Sequence, residues 1–274
     1  MLKFKLNELI DALKKDGYNA VETFSIKNGV DMKAVTVIKP EGEVAPLVYV
    51  NNLQGLELKD AIEMCERIFN AKPIDVPDVW QNLNADYVKE NVLPILCHTD
   101  RTSGLYHENA FADVEAIFCL RFGDYVAKFK QEMIDNLGVD EPLLSYAIEN
   151  LRGLTSVKTL RDVLQGMASE VGEEMPDEAF EGMPEMLVIS TEYEQYGAGA
   201  ILLEKDNLQE GTVLIPSSIH EFLALPQNDD TPDYDTLLGM VQSTNGAIVS
   251  NLDILTDNVY VIHNGEICEL KEVA

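Results

Sequence analysis

The apolar positions of the chain change period along its length, and each change marks an element. Leu6, Leu9, Ile10 and Leu13 recur at helical spacing. They predict an amphipathic helix over about 2–15 that stops at Gly17, a residue suited to the left-handed position after a helix. Strand periods follow at 21–26, at 33–39 with Ala34, Thr36 and Ile38 alternating, and at 44–50. Lys39-Pro40-Glu41-Gly42 reads as the turn between the last two. Leu58, Ala61, Ile62, Cys65, Ile68 and Phe69 share one face of a helix over 58–70, and a second helix is expected over 79–90 with Trp80 near its start.

The apolar run 91–98 contains Pro94, which cannot donate to a ladder, so that strand should begin or lie at an edge. Residues 114–122 read as a buried strand, 125–133 fit either its hairpin partner or a helix start, and 142–150 and 157–167 have helical periods. Residues 166–185 interrupt the pattern: they are acidic, lack basic side chains and are rich in Gly, Pro and Met. Strands are then expected at 186–191 and 198–203, short apolar segments at 213–216 and 221–225, and a helix at 234–241. A closing hairpin joins 259–263 to 267–270 around Asn264-Gly265, a strong type I′ turn signal. The sum is an α+β fold with a mixed, largely antiparallel sheet and flanking helices. It is organised as an N-terminal lobe (1–165), an acidic linker (166–185) and an acidic C-terminal lobe (186–274).

Composition changes that picture in one respect. At 46% apolar and 25% charged the chain is an ordinary folded protein, but its net charge is −28. Residues 1–161 carry a net −7, whereas 162–274 hold two basic residues, Lys205 and Lys271, against 23 acidic ones. Such a surface repels phosphate backbones and anionic membranes, which argues against direct nucleic-acid or membrane binding, and it attracts basic protein surfaces. No apolar run reaches a membrane-spanning length, and the N-terminal pattern is that of a helix and not a signal peptide, so a cytoplasmic protein is expected. Nothing in the pattern bears on oligomeric state.

Candidate chemistry is sparse. Cys65, Cys97, Cys119 and Cys268 have no paired spacing and sit among apolar neighbours, as reduced, buried thiols do. Cys97 and His98 are adjacent on a strand and point to opposite faces, so a Cys97 nucleophile would need His220 or His263 as its base. Ser217-Ser218-Ile219-His220-Glu221 matches a capping box from Ser218 to Glu221, read as a helix start or a tight turn after a strand. His98, His107, His220 and His263 show no metal-ligand spacing. Asp229, Asp230, Asp233 and Asp235 lack the glycine and glutamate of a calcium loop and read as a solvated lead into a helix. Tyr196-Gly197-Ala198-Gly199-Ala200 lacks the third glycine of a dinucleotide motif and reads as a close backbone approach. No cofactor and no metal is implied.

Leu93-Pro94-Ile95-Leu96-Cys97-His98-Thr99 and Ile215-Pro216-Ser217-Ser218-Ile219-His220-Glu221, with Asp257-Asn258-Val259-Tyr260, resemble a family of gut Firmicutes proteins of no established activity, associated with accessory genes of conjugative elements and prophages. Ala200-Ile201-Leu202-Leu203 and 213–225 resemble a broader bacillary family, also without known activity. The first resemblance implies a setting in which small acidic proteins inhibit host defence enzymes, some by imitating the charge of DNA. The reading that follows is a non-enzymatic acidic protein that binds a basic protein surface on a nucleic-acid-handling or defence enzyme. It would do so through Glu170, Glu173, Glu174, Asp177, Glu178 and Glu181, with Asp229, Asp230, Asp233 and Asp235 behind them. The alternative is a hydrolase or transferase using Cys97 or His220, with His98 and Glu221 nearby, in a pocket between the lobes.

Overall fold

A computed structural model describes residues 1–38, 45–70, 83–102, 104–123, 125–193, 195–228 and 231–273. The expected turn at Lys39–Gly42, the start of the helix expected at 79–90 with Trp80, and Asp229 and Asp230 lie outside the described residues. The chain divides into two compact units, Met1–Trp80 and Gln81–Ala274.

In the first unit, helix α1 (Leu6–Lys15) buries Leu9, Ile10 and Leu13. It ends at Gly17, whose φ of +94° confirms the expected stop. Strands β1 (Ala20–Lys27), β2 (Val30–Val37) and β3 (Leu47–Tyr49) form an antiparallel sheet in that order. Asn28-Gly29 joins the first two strands with φ of +50° and +73°, the geometry a two-residue hairpin turn requires. Helix α2 (Leu58–Phe69) completes the core, in which Leu9, Leu13, Val35, Val48, Cys65 and Phe69 cluster.

In the second unit, helix α3 (Ala85–Asn91) leads into β4 (Leu93–His98). Strand β6 (Val114–Phe122) is an almost unbroken apolar run because both of its faces are buried from Ala116 to Leu120, and neighbours pair along both of its edges. Strand β4 pairs along one edge, and β5 (His107–Phe111) and β7 (Tyr125–Lys128) share the other. Pro94 therefore sits on a terminal strand, as its missing N–H demands. Residues 125–133 resolve into both expected alternatives in turn: β7, then helix α4 (Gln131–Leu137). Helix α5 (Leu144–Asn150) is capped from a distance by Glu108, which accepts from the Leu143 and Leu144 N–H groups at 2.6 and 3.1 Å.

The second sheet of this unit has six antiparallel strands. Their order is β13 (Glu266–Glu269), β12 (Tyr260–His263), β10 (Val213–Ser218), β11 (Glu221–Leu225), β9 (Leu187–Thr191) and β8 (Thr155–Thr159). The closing hairpin forms as expected, with Asn264 and Gly265 at φ +52° and +76°. Helix α8 (Tyr234–Ala247) packs Leu237 and Val241 against Val213, Val259 and Val261.

Three expectations need correction. The helix expected at 157–167 is strand β8 followed by helix α6 (Leu160–Glu170), capped by Thr159, whose hydroxyl accepts from the Asp162 N–H at 3.1 Å. The strand expected at 198–203 is a 3₁₀ turn running into the short helix α7 (Ile201–Glu204). Its residues are apolar all round, and periodicity cannot separate a buried helix from a buried strand there. The expected lobes also differ from the observed division. Strand β8 pairs residue for residue with β9, from Thr155↔Thr191 to Thr159↔Leu187. Residues 160–186 thus form an excursion between neighbouring strands of one sheet instead of a link between two lobes.

Candidate functional site

Two of the three segments that carry the family resemblance, the first box through His98 and the closing strand through Asn258 and Tyr260, converge on one carboxylate, Asp113. It occupies the two-residue turn between β5 and β6, beside Ala112, which adopts φ +42°. That left-handed conformation costs an alanine roughly 1–2 kcal/mol, and here it aims the carboxylate inward. Asp113 Oδ2 accepts from Thr256 Oγ1 at 3.0 Å and Asn258 Nδ2 at 2.8 Å, while the Tyr260 hydroxyl donates to Oδ1. His98, at the end of β4, places Nε2 3.4 Å from Oδ2. Tyr260 is wholly buried and its ring meets Phe111 edge-on at 5.2 Å, with Phe222 at 6.5 Å, so the two sheets of this unit are joined by packing as well as polar contacts. Burial, and next the bond to Asp113, raise the Tyr260 phenol well above its ordinary value.

Residues 249–260 bond to the second box and to Arg101, just beyond the first. Arg101, just past the first box, donates to the carbonyls of Asn251 and Ile254 at 2.9 and 2.8 Å. Ile219, in the second box, donates its N–H to the Asp253 carbonyl at 2.8 Å. Asn245 of α8 holds the segment from below through the Thr256 carbonyl and the Asp257 carboxylate, at 3.0 and 2.8 Å. We call this arrangement the Asp113 clasp.

The two box histidines are used alike. His98 Nδ1 accepts from the Asp100 N–H at 3.2 Å, and His220 Nδ1 accepts from the Tyr196 N–H at 2.9 Å. A ring nitrogen that accepts carries no hydrogen, so in each ring the hydrogen lies on Nε2. Those Nε2 atoms face Asp113 at 3.4 Å and Asp253 at 3.5 Å. The second box is the tight turn of the β10–β11 hairpin: Ser217 donates to Glu221 at 3.0 Å, and Ser218 Oγ accepts from the His220 N–H at 3.1 Å. Cys97 is 5% exposed in a cluster with Ile95, Ile117 and Cys119, and its thiol is pushed up to about 12, chiefly by burial. Cys97, His98, His220 and Glu221 thus each have separate structural partners. The Gly-x-Gly segment is a close approach, as expected: a Cβ on Gly197 would lie 2.6 Å from the His220 carbonyl oxygen, and one on Gly199 would lie 3.0 Å from that of Pro94.

The acidic residues are placed differently. Glu170, at the end of α6, and Glu173, Glu174, Asp177, Glu178 and Glu181 after it are all exposed along the excursion. Its two ends meet where the Leu160 N–H donates to the Met186 carbonyl at 2.9 Å. Between them a 3₁₀ turn (Asp177–Phe180) buries Phe180, whose ring lies 4.8 Å under the Arg161 guanidinium, and Arg161 pairs with Asp177. Beside this anchor is a pocket of about 620 Å³ lined by Arg161, Phe180, Met183, Met186, Leu187 and Pro226. Lys205 and Lys271 are engaged within the unit, Lys205 with the Gly265 carbonyl, Asp206 and Glu266, and Lys271 with Glu269. Asp233 caps α8 through the Thr236 N–H at 2.9 Å; bonding to the Thr236 side chain, and next to that N–H, holds its carboxyl below the usual range, and Asp235 lies in that helix's first turn.

The family of unknown function DUF5688 matches residues 3–263. The chain belongs to that family. No curated protein and no solved structure matches it. In this DUF5688 chain the residue missed by sequence reasoning is Asp113, and with it strand β5. The available signal was the break in pattern at Ala112-Asp113, directly before the apolar run of β6. Among the described residues of the DUF5688 chain, no helix is long and apolar enough to cross a membrane.

Proposed function

We propose that this DUF5688 protein is a non-enzymatic binding protein whose acidic excursion engages the basic surface of a nucleic-acid-handling or defence enzyme, occupying a groove that otherwise holds phosphates. The observation that carries this reading is the exposure of six carboxylates on a segment fixed at its base, by Phe180 and by Arg161. Both lysines that follow residue 161 are already engaged elsewhere. Carboxylates held in place lose less conformational freedom on binding than a tail would, so their field is both directed and inexpensive to use. The burial of Cys97, and the engagement of both nitrogens on His98 and on His220, favour binding over thiol chemistry. The setting implied by the resemblance, cytoplasmic accessory proteins of gut Firmicutes mobile elements, suits an inhibitor of this kind.

The test is capture from a host lysate cleared of nucleic acid. The intact chain is compared with a variant carrying Glu170→Gln, Glu173→Gln, Glu174→Gln, Glu178→Gln and Glu181→Gln; Asp177 is kept because it holds Arg161. A basic nucleic-acid-handling enzyme should be retained at low salt by the intact chain, released at high salt and lost with the variant. Equal retention by both chains would refute the reading.

A further inference from the structure

Resting on that reading, we infer that the pocket beside the excursion receives an apolar side chain from a partner segment in which that side chain is flanked by lysines or arginines. A volume of about 620 Å³ accommodates one large or two medium apolar side chains. The lining is apolar over Phe180, Met183, Met186, Leu187 and Pro226. Two of those residues are methionines, whose unbranched thioethers adapt to differing shapes.

Charge selects the occupant. Glu185 also lines the pocket, and exposed Glu181 lies two residues before Met183. The cation at the wall, Arg161, is already matched by Asp177. Phosphate-bearing ligands and anionic lipid are repelled by this rim, and a second copy of a chain of net charge −28 is repelled as a whole. A basic segment is attracted, and its apolar side chain gains the burial that charge alone does not supply.

Two short probe peptides test this with the full chain, by fluorescence anisotropy at low salt. One is a run of lysines with two central leucines, and the other has both leucines replaced by serine. The leucine peptide should bind at least about tenfold more tightly, the ratio expected for one apolar group leaving water. Met183→Glu should abolish that advantage while leaving the serine peptide's affinity equal or higher, because the change removes apolar lining and adds attractive charge. Exposed Pro226→Glu provides the same readout should Met183→Glu perturb folding. Equal affinity for both peptides, or an advantage that survives both substitutions, would overturn the pocket inference while leaving the electrostatic reading intact. Failure of both peptides to bind at low salt would remove both readings.

Discussion

Replacing Asp113 with alanine removes the acceptor that Thr256, Asn258 and Tyr260 share. The carboxylate is 19% exposed, so water reaches it only partly, and Tyr260 is completely buried. The Tyr260 hydroxyl would be left with Thr256 Oγ1, 3.3 Å away, and the Asn258 amide would lose its 2.8 Å partner. Hydrogen bonds to a charged group are worth about 1.5–3 kcal/mol each, but the three share one desolvated carboxylate and do not add. Loss of the set should therefore cost about 3–5 kcal/mol, because it leaves the Tyr260 and Asn258 donors short of a partner at about 1–3 kcal/mol each. Asp113→Asn keeps one acceptor oxygen but turns an NH₂ group toward other donors, and should cost about 2 kcal/mol. Urea unfolding gives the totals, and hydrogen exchange gives the location. Protection should fall first in 249–260 and in the Ser218–Glu221 turn, with the unit Met1–Trp80 unchanged. A loss below about 1 kcal/mol for Asp113→Ala, or protection lost evenly across both units, would refute the clasp.

Three further outcomes follow from the same geometry. Because the Tyr260 phenol is raised by burial and by Asp113, its contribution to stability is complete below the ordinary phenol value of about 10 and is lost as pH rises beyond it; Tyr260→Phe should flatten the alkaline limb of a stability-versus-pH curve, and an unchanged limb would contradict this. Cys97 and Cys119, both pushed up to about 12 mainly by burial, should resist a thiol reagent near neutral pH until the chain unfolds, and rapid native labelling of Cys97 would revive the thiol-enzyme reading. Gly197→Ala, which forces a methyl against the His220 carbonyl, should cost about 1–3 kcal/mol by calorimetry, and a neutral effect would show that the close approach relaxes freely.

Local chemistry was legible wherever a residue type has one structural use. Gly17 stops α1, Pro94 marks a terminal strand, Asn264-Gly265 closes the last hairpin, and the apolar run of β6 ends where its pattern ends. The Asn28-Gly29 turn carries the same signal as Asn264-Gly265, and it pairs two strands whose apolar periods at 21–26 and 33–39 stop short of it. What remained hidden depends on partners distant in sequence. Strand β8 is polar and exposed, and only its pairing with β9 makes it a strand. Asp113 is a lone acid in a turn whose role arises from residues about 145 positions away. The acidic excursion was visible in composition, but its attachment by Phe180, Arg161 and Asp177 was not.

Competition between the chain and duplex DNA for the captured enzyme is the measurement that bears most directly on the binding reading. Labelled duplex is bound to the enzyme and its anisotropy is followed as the chain is added. The expected result is displacement of the duplex, mutually exclusive with binding of the chain, weakening steeply with salt and absent for the five-glutamine variant. A ternary complex in which enzyme, duplex and chain are all bound at once would contradict it.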